Sequence, residues 1–201
     1  MDRNAVLTQY VTDMNAVETH IHAAVERQLE SDETRKYPEA VRVLTALKTT
    51  LEAHTASLAR YNDKTEGGGF LEVAKEALGS ALGVAAGLYD QIRTDTVSRI
   101  IRDSYTATSL AAISYHMLHT TALGLKDAEV ANLALTNLKG LTPVLVDLSK
   151  VICEVVASEL EDEDKIYTDS IAQQAVRNTQ EAWSAENSNP MAGTSTFSTG
   201  D

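Results

Sequence analysis

Apolar residues recur at spacings of three and four along most of the chain, a pattern typical of amphipathic helices. A first segment, from Arg3 to Glu30, has an apolar face made of Leu7, Val11, Met14, Glu18, Ile21, Val25 and Leu29. A second, from Pro38 to about Tyr61, has a face made of Leu44, Leu47, Leu51, His54, Leu58 and Tyr61. The polar run 31–37 predicts a turn, so the two segments form a helical hairpin with Glu18 and His54 inside it.

A second hairpin is predicted further along the chain. Its first helix, about Thr96 to Leu123, has a face rich in small residues, namely Ile100, Ser104, Ala107, Leu110, Ala111, Ser114, Met117 and Leu118. Its second helix opens near Asp127, with the face Ala131, Ala134, Leu138, Leu141, Leu145, Leu148, Ile152 and Val155. Gly124 is predicted to cap the first helix, and Gly140 with Pro143 predicts a bend in the second. No ionisable residue interrupts this second face.

A glycine-rich helix is predicted between the hairpins, from Phe70 to Ile92. Gly79, Gly83 and Gly87 recur every four residues in it, and each costs about 1 kcal/mol of helix propensity relative to alanine. Three glycines on one face indicate a close-packed contact. An internal helix contact, self-association through Gly79, Gly83 and Gly87, and contact with a membrane surface are the three alternatives.

The carboxyl-terminal part divides into two pieces. The acidic run Glu159 to Asp164 is expected to end the bundle, and a weaker helical pattern follows with Tyr167, Ile171, Val176 and Trp183. Residues 187–201 are rich in Ser, Thr, Gly and Asn, and are expected to be flexible unless the bundle itself or a protein partner orders them. The predicted units are therefore a bundle over 1–160, a helical extension over 161–186 and a tail over 187–201.

Composition narrows the class of function. The chain has 201 residues and a formal charge of −12, which argues against nucleic-acid binding because phosphate contacts need clustered Lys and Arg. Cys153 is the only cysteine, so no disulfide framework is expected. The sequence shows neither a secretory signal pattern nor a run of about 18 uncharged apolar residues, so a cytoplasmic protein with no membrane span is predicted.

Glu18 is the first candidate for chemistry, because a carboxylate on an apolar face needs a partner. Three alternatives remain open: a hydrogen bond with His54, a mononuclear metal site at Glu18, His22 and His54, or a Glu18 exposed at the rim. His20 is predicted to point elsewhere. His116 and His119 are interpreted as surface or interface residues.

Three segments resemble the YciE/YciF-like branch of the ferritin-like superfamily. They are VETHIHAAVERQL, LEAHTASLARYN and DSYTATSLAAISYHMLHTTALGLKDAEVANLALTNLKGL, and the resemblance spans about residues 5–156. It implies an all-α, ferritin-like four-helix bundle of two hairpins joined by a long crossover. The glycine-rich segment departs from the family pattern.

The resemblance also implies a di-iron site, with a Glu from each of two helices and a Glu-x-x-His pair from each of the other two. Glu18 matches one of these ligands, but Leu51 stands three residues before His54, where the pattern requires Glu. Thr106 and Gly140 with Leu141 stand where the family has acidic residues. The implied site is degenerate.

The expected function is that of a non-catalytic structural or stress-associated protein that self-associates as a homo-oligomer. The alternative is a protein that binds one iron, manganese or zinc ion at Glu18, His22 and His54 and retains redox activity. A binding module that docks through its acidic run and tail is a third hypothesis.

Overall fold

The computed structural model describes residues 3–66, 96–162 and 170–185, and every regular element in these ranges is a helix. The elements are α1 (Arg3–Glu30), α2 (Asp32–Arg35), α3 (Pro38–Glu66), α4 (Val97–Gly124), α5 (Ala128–Asp162) and α6 (Ile171–Ala185). The predicted all-α class is confirmed. The predictions for Gly79, Gly83 and Gly87, and for the tail after residue 186, lie outside the described residues.

The first hairpin buries the face that its sequence pattern predicts. On α1 the residues from Leu7 to Val25 of that face are at most 4% exposed, and Leu29 is partly buried. On α3 all six predicted residues from Leu44 to Tyr61 are buried. Pro38 opens α3, where the missing backbone N–H costs nothing because it has no intrahelical partner. The short α2 occupies the predicted turn.

The second hairpin buries only part of each predicted face. The residues buried as predicted are Ser104, Ala107, Ala111 and Leu118 on α4, and Ala131, Ala134, Leu141, Leu148 and Val155 on α5. On α4, Leu110 and Met117 were expected inside but are 44% and 53% exposed, while Tyr115 is fully buried. On α5, Leu138, Leu145 and Ile152 are only partly buried. Their places in the core are taken by Asn137, Val144 and Val151. Both helices carry apolar residues on more than one face, so the spacing alone does not select the buried one.

The four long helices form a bundle in which each packs against two others. α1 contacts α3 and α4, while α5 contacts α3 and α4. Lys64 near the end of α3 pairs with Glu129 near the start of α5 at 2.9 Å. At the other end of the bundle, the Tyr37 hydroxyl donates to Asp162 at 3.3 Å. α3 and α5 are therefore antiparallel.

The same end of the bundle holds the start of α4. The backbone N–H of Ser98 donates to the Glu159 carboxylate at 2.9 Å, and the Ser104 hydroxyl donates to Gln28, near the end of α1, at 3.0 Å. α4 therefore runs parallel to α3. The connection from Glu66 to Thr96 links opposite ends of a bundle that is roughly 43 Å long, taking 1.5 Å for each of the 29 residues of α3.

The helix ends differ in detail from the predictions. α4 ends at Gly124, but the residue with a positive φ is Lys126, at 57°. Asp127 caps α5 by accepting a hydrogen bond from the Val130 backbone N–H at 3.0 Å. α5 continues to Asp162 with Pro143 inside it, so four of the six residues of the acidic run belong to the helix. α6 packs against α5.

Candidate functional site

Each of the four long helices contributes a buried polar side chain to the middle of the core. These are Glu18 from α1, His54 from α3, Tyr115 from α4 and Asn137 from α5, all at most 6% exposed. Ser57, one turn after His54, completes the group. We refer to these five residues as the interior polar cluster. Apolar residues flank the cluster on each helix, so its polar atoms depend on one another for hydrogen bonds.

Glu18 and His54 are the carboxyl and imidazole members of the cluster. The Nδ1 of His54 lies 3.0 Å from the Oε1 of Glu18, a hydrogen bond between two buried side chains. Burial raises the pKa of Glu18, and the hydrogen bond and charge of His54 oppose that rise. The Glu18 Oε2 has no hydrogen-bond partner among the described residues. The rim-exposed alternative for Glu18 is wrong, because the side chain is 0% exposed.

Tyr115 and Asn137 are the phenol and amide members of the cluster. The Asn137 amide donates to the Tyr115 hydroxyl at 2.9 Å, and Asn137 also meets the Ser57 hydroxyl at 3.2 Å. Ser57 donates to the backbone carbonyl of His54 at 2.7 Å. The rings of His54 and Tyr115 meet edge to face, with centroids 5.9 Å apart. Burial raises the pKa of Tyr115, and the nearby Glu18 charge raises it further. The phenol therefore stays protonated.

Gly140 provides the space for the His54 ring. A Cβ built at this position on α5 would lie 2.6 Å from the His54 Nε2 and 3.2 Å from its Cε1. Any larger residue at position 140 would push the imidazole away from α5. Gly140 therefore lets the α5 backbone approach a side chain of α3, whereas the bend predicted near it stays a prediction.

His22 lies apart from the cluster. Its side chain is 22% exposed, and its two ring nitrogens lie 3.6 Å from Glu26 and 3.3 Å from Glu52. It lines a shallow groove between α1 and α3 together with Thr19 and Thr55. Of the three predicted metal ligands, the structure brings Glu18 and His54 together, and gives His22 other partners.

The other predicted positions are placed as follows. His116 is exposed, and His119 contacts the Ala131 carbonyl oxygen at 2.8 Å through a ring nitrogen. His20 is half-buried. Thr106, which the resemblance aligns with a family glutamate, is exposed and donates to its own helix backbone at Arg102. It therefore lies off the interior face.

The donor set of the cluster does not fit a di-iron centre. Such a centre takes four glutamates and two histidines, whereas the cluster supplies one carboxylate and one imidazole. Within residues 3–66, 96–162 and 170–185, no group of three or more His, Cys, Asp or Glu side chains is arranged to hold a metal ion. The other three residues of the interior polar cluster are a tyrosine, an asparagine and a serine.

Tyr115 and Asn137 were missed from the sequence. Tyr115 is polar at one end only, and tyrosine is intermediate among residue types in how often it is buried, so its type does not predict its burial. Asn137 lies one position before Leu138, which looked like the core residue. One signal could have found both: residues 115, 118, 122 and 130, 134, 137, 141 have the same helical spacing as the first hairpin.

Comparisons with other proteins give no relative: no protein-family model, curated protein or solved structure matches this chain. Among the described helices, none is both long enough and apolar enough to cross a membrane. The function is therefore argued from the geometry of the cluster and the surface of the bundle.

Proposed function

We propose that this protein is a non-catalytic, ferritin-like helical bundle that serves as a structural, stress-associated scaffold and associates with copies of itself. The interior polar cluster, in this proposal, fixes the register of four helices instead of holding a di-iron centre. The observation that carries the proposal is the make-up of that cluster, in which each of the four helices contributes a different polar group and only one is a carboxylate.

The direction of the helices supports the ferritin-like part. Two antiparallel hairpins, with one long connection between parallel α3 and α4, match the topology of bundles that have a single crossover. Gly140 supports it as well. The resemblance aligns Gly140 with an acidic position, and this glycine lies directly against His54. The ligand position would thus face the cluster, and glycine leaves it without a donor.

Metal content tests the scaffold proposal. The chain is purified without chelator or affinity tag, resupplied anaerobically with iron, manganese or zinc, and analysed beside Glu18→Gln and His54→Gln. We expect no metal above background in any sample. About one equivalent per chain, lost in both variants whose circular dichroism shows an intact bundle, would overturn the proposal. His22→Gln is the matched control, since His22 lies outside the cluster.

A second candidate function rests on the Glu18 Oε2, which is buried and has no hydrogen-bond partner among the described residues. Such an atom carries a proton, accepts a hydrogen bond from a neighbour such as the Tyr115 hydroxyl, which lowers the pKa of Glu18, or binds a cation. The cation would make the protein a mononuclear metal binder with Glu18 and His54 as ligands, and His22 would need a new side-chain position to join them. A metal stoichiometry that falls in His22→Gln as well as in Glu18→Gln would favour this candidate with all three ligands.

A further inference from the structure

The outer face of α4 carries an apolar stripe that the bundle does not cover. Leu110, Ile113 and Met117 are 44%, 54% and 53% exposed, respectively. Their spacing of three and four residues places them on one side of the helix, opposite the buried side that holds Ser104, Ala111 and Tyr115. Large apolar side chains that are exposed together in this way are typical of contact surfaces.

The charge around this stripe is unusual for the chain. The 22 residues from Ser104 to Leu125 include no Asp, Glu, Lys or Arg, although 23% of the whole chain is charged. Two copies of a protein with a net charge of −12 repel each other over most approaches. The stretch 104–125 adds no Asp or Glu charge to that repulsion, so a second copy can approach the α4 face.

The charged residues at the two ends of α4 suit a particular orientation. Arg99 and Arg102 stand at its start with Asp103, which accepts from Arg102 at 2.8 Å, so this end has one net positive charge. Lys126, Asp127 and Glu129 follow its end with one net negative charge, and Glu129 also pairs with Lys64. If two α4 helices pack antiparallel with Leu110 opposite Met117 of the partner, each arginine end faces the acidic end of the other copy. A parallel arrangement would instead place like charges together.

We propose that α4 is the self-association surface of this protein, and that a second copy docks on it antiparallel about a two-fold axis near Ile113. The contact is isologous, so the same stripe serves both copies. This inference rests on the self-association clause of the proposed function and gives it a location. It does not depend on whether the interior cluster binds a metal.

The mass in solution tests the surface. Light scattering or sedimentation compares the wild type with Ile113→Glu and with Val146→Glu, a matched control that puts the same charge on an exposed valine of α5, 42% exposed. We expect the wild type and Val146→Glu at twice the chain mass of 21.7 kDa, and Ile113→Glu at the single chain mass. Circular dichroism confirms that each variant is folded.

Two other results would overturn the inference, and they differ in what else they affect. A dimer that persists in Ile113→Glu would place the interface elsewhere and leave the self-association clause standing. A monomeric wild type would contradict both the α4 interface and the self-association clause. The stripe would then be assigned to another segment of this chain or to a different protein.

Cross-linking tests the orientation. In a Cys153→Ser background, Leu110→Cys and Met117→Cys are oxidised separately and as a mixture. The antiparallel contact predicts a disulfide-linked dimer in the mixture and little in either variant alone. Efficient cross-linking of Leu110→Cys with itself would overturn the antiparallel arrangement.

Discussion

At the scale of single residues, the polar atoms of the interior polar cluster need hydrogen-bond partners within the protein, because water does not reach them. Glu18 Oε1 and His54 Nδ1 form a hydrogen bond at 3.0 Å, and the Tyr115 hydroxyl accepts one from Asn137 at 2.9 Å. Removing one member of a buried pair leaves the other without a partner, which costs about 1–3 kcal/mol and more for a charged group. The cluster therefore constrains the sequence even where it carries out no chemistry.

Gly140→Ala is expected to lower the free energy of unfolding by about 1–2 kcal/mol. Alanine would ordinarily add about 1 kcal/mol of helix propensity. Here its Cβ would stand 2.6 Å from the His54 Nε2 and force the ring off Glu18. Chemical denaturation measures the change.

Two controls separate this clash from a general effect on helices. Gly124→Ala places a Cβ where no atom lies within 4 Å, so it should be neutral or stabilising. In a His54→Ala background the cost of Gly140→Ala should disappear. Equal destabilisation in both backgrounds would contradict the proposed contact.

The raised pKa of Glu18 gives a pH dependence with a definite sign. The folded protein keeps the Glu18 proton to a higher pH than the unfolded chain does, so this group's contribution to stability falls as pH rises from the ordinary value of 4.5 through the folded pKa. Glu18→Gln removes that loss. Its stability relative to the wild type should therefore improve with rising pH, as measured by denaturation over a pH series.

Glu26→Gln provides a control of the opposite sign. A hydrogen bond from Lys48 lowers the pKa of Glu26, so its contribution is present at neutral pH and is lost as pH falls through the folded pKa. The free energy of unfolding of Glu26→Gln, relative to the wild type, should therefore fall as pH rises. If the relative stability of both variants changed with pH in the same direction, Glu18 would not be the source of the pH dependence.

At the scale of the helices, the two hairpins differ in how far sequence predicts them. On α1 and α3 charged and polar residues occupy the outer faces, so a single apolar stripe remains and its burial is predicted correctly, Glu18 and His54 included. On α4, Leu110 and Met117 are apolar but exposed, and on α5, Leu138 competes with Asn137. Spacing cannot choose between two apolar faces, and the choice is made by packing against α1 and α3.

Tyr115→Phe tests the tie between α4 and α5. Losing the hydroxyl leaves the Asn137 amide with only Ser57, and should lower the free energy of unfolding by about 1–2 kcal/mol. The double variant Tyr115→Phe with Asn137→Leu should cost less than the two single changes added together. Tyr105→Phe, on the same helix and only partly buried, is the control. Additive effects would contradict a direct interaction between Tyr115 and Asn137.

At the scale of the whole molecule, net charge and surface pattern act together. The acidic chain resists association in general, and the uncharged face of α4 permits it at one place. Counterions screen charges over about 8 Å at physiological ionic strength, so they weaken repulsion between whole copies more than they alter an apolar contact.

Salt should therefore strengthen the proposed dimer. Sedimentation at increasing sodium chloride concentration should show a falling dissociation constant, because the repulsion between two charges of −12 outweighs the exposed ion pairs at the ends of α4. A dissociation constant that rises with salt would indicate an interface held by ion pairs, and would contradict the apolar contact.

The cluster also couples the pKa of Glu18 to the docking of the two hairpins. Glu18 and His54 belong to one hairpin and lie 36 residues apart, whereas Tyr115, whose hydroxyl interacts with Glu18, belongs to the other hairpin. Burial is the largest cause of the raised pKa of Glu18, so separation of the hairpins would let that pKa return toward its ordinary value. Raising the pH through the folded pKa therefore weakens the joining of the two hairpins.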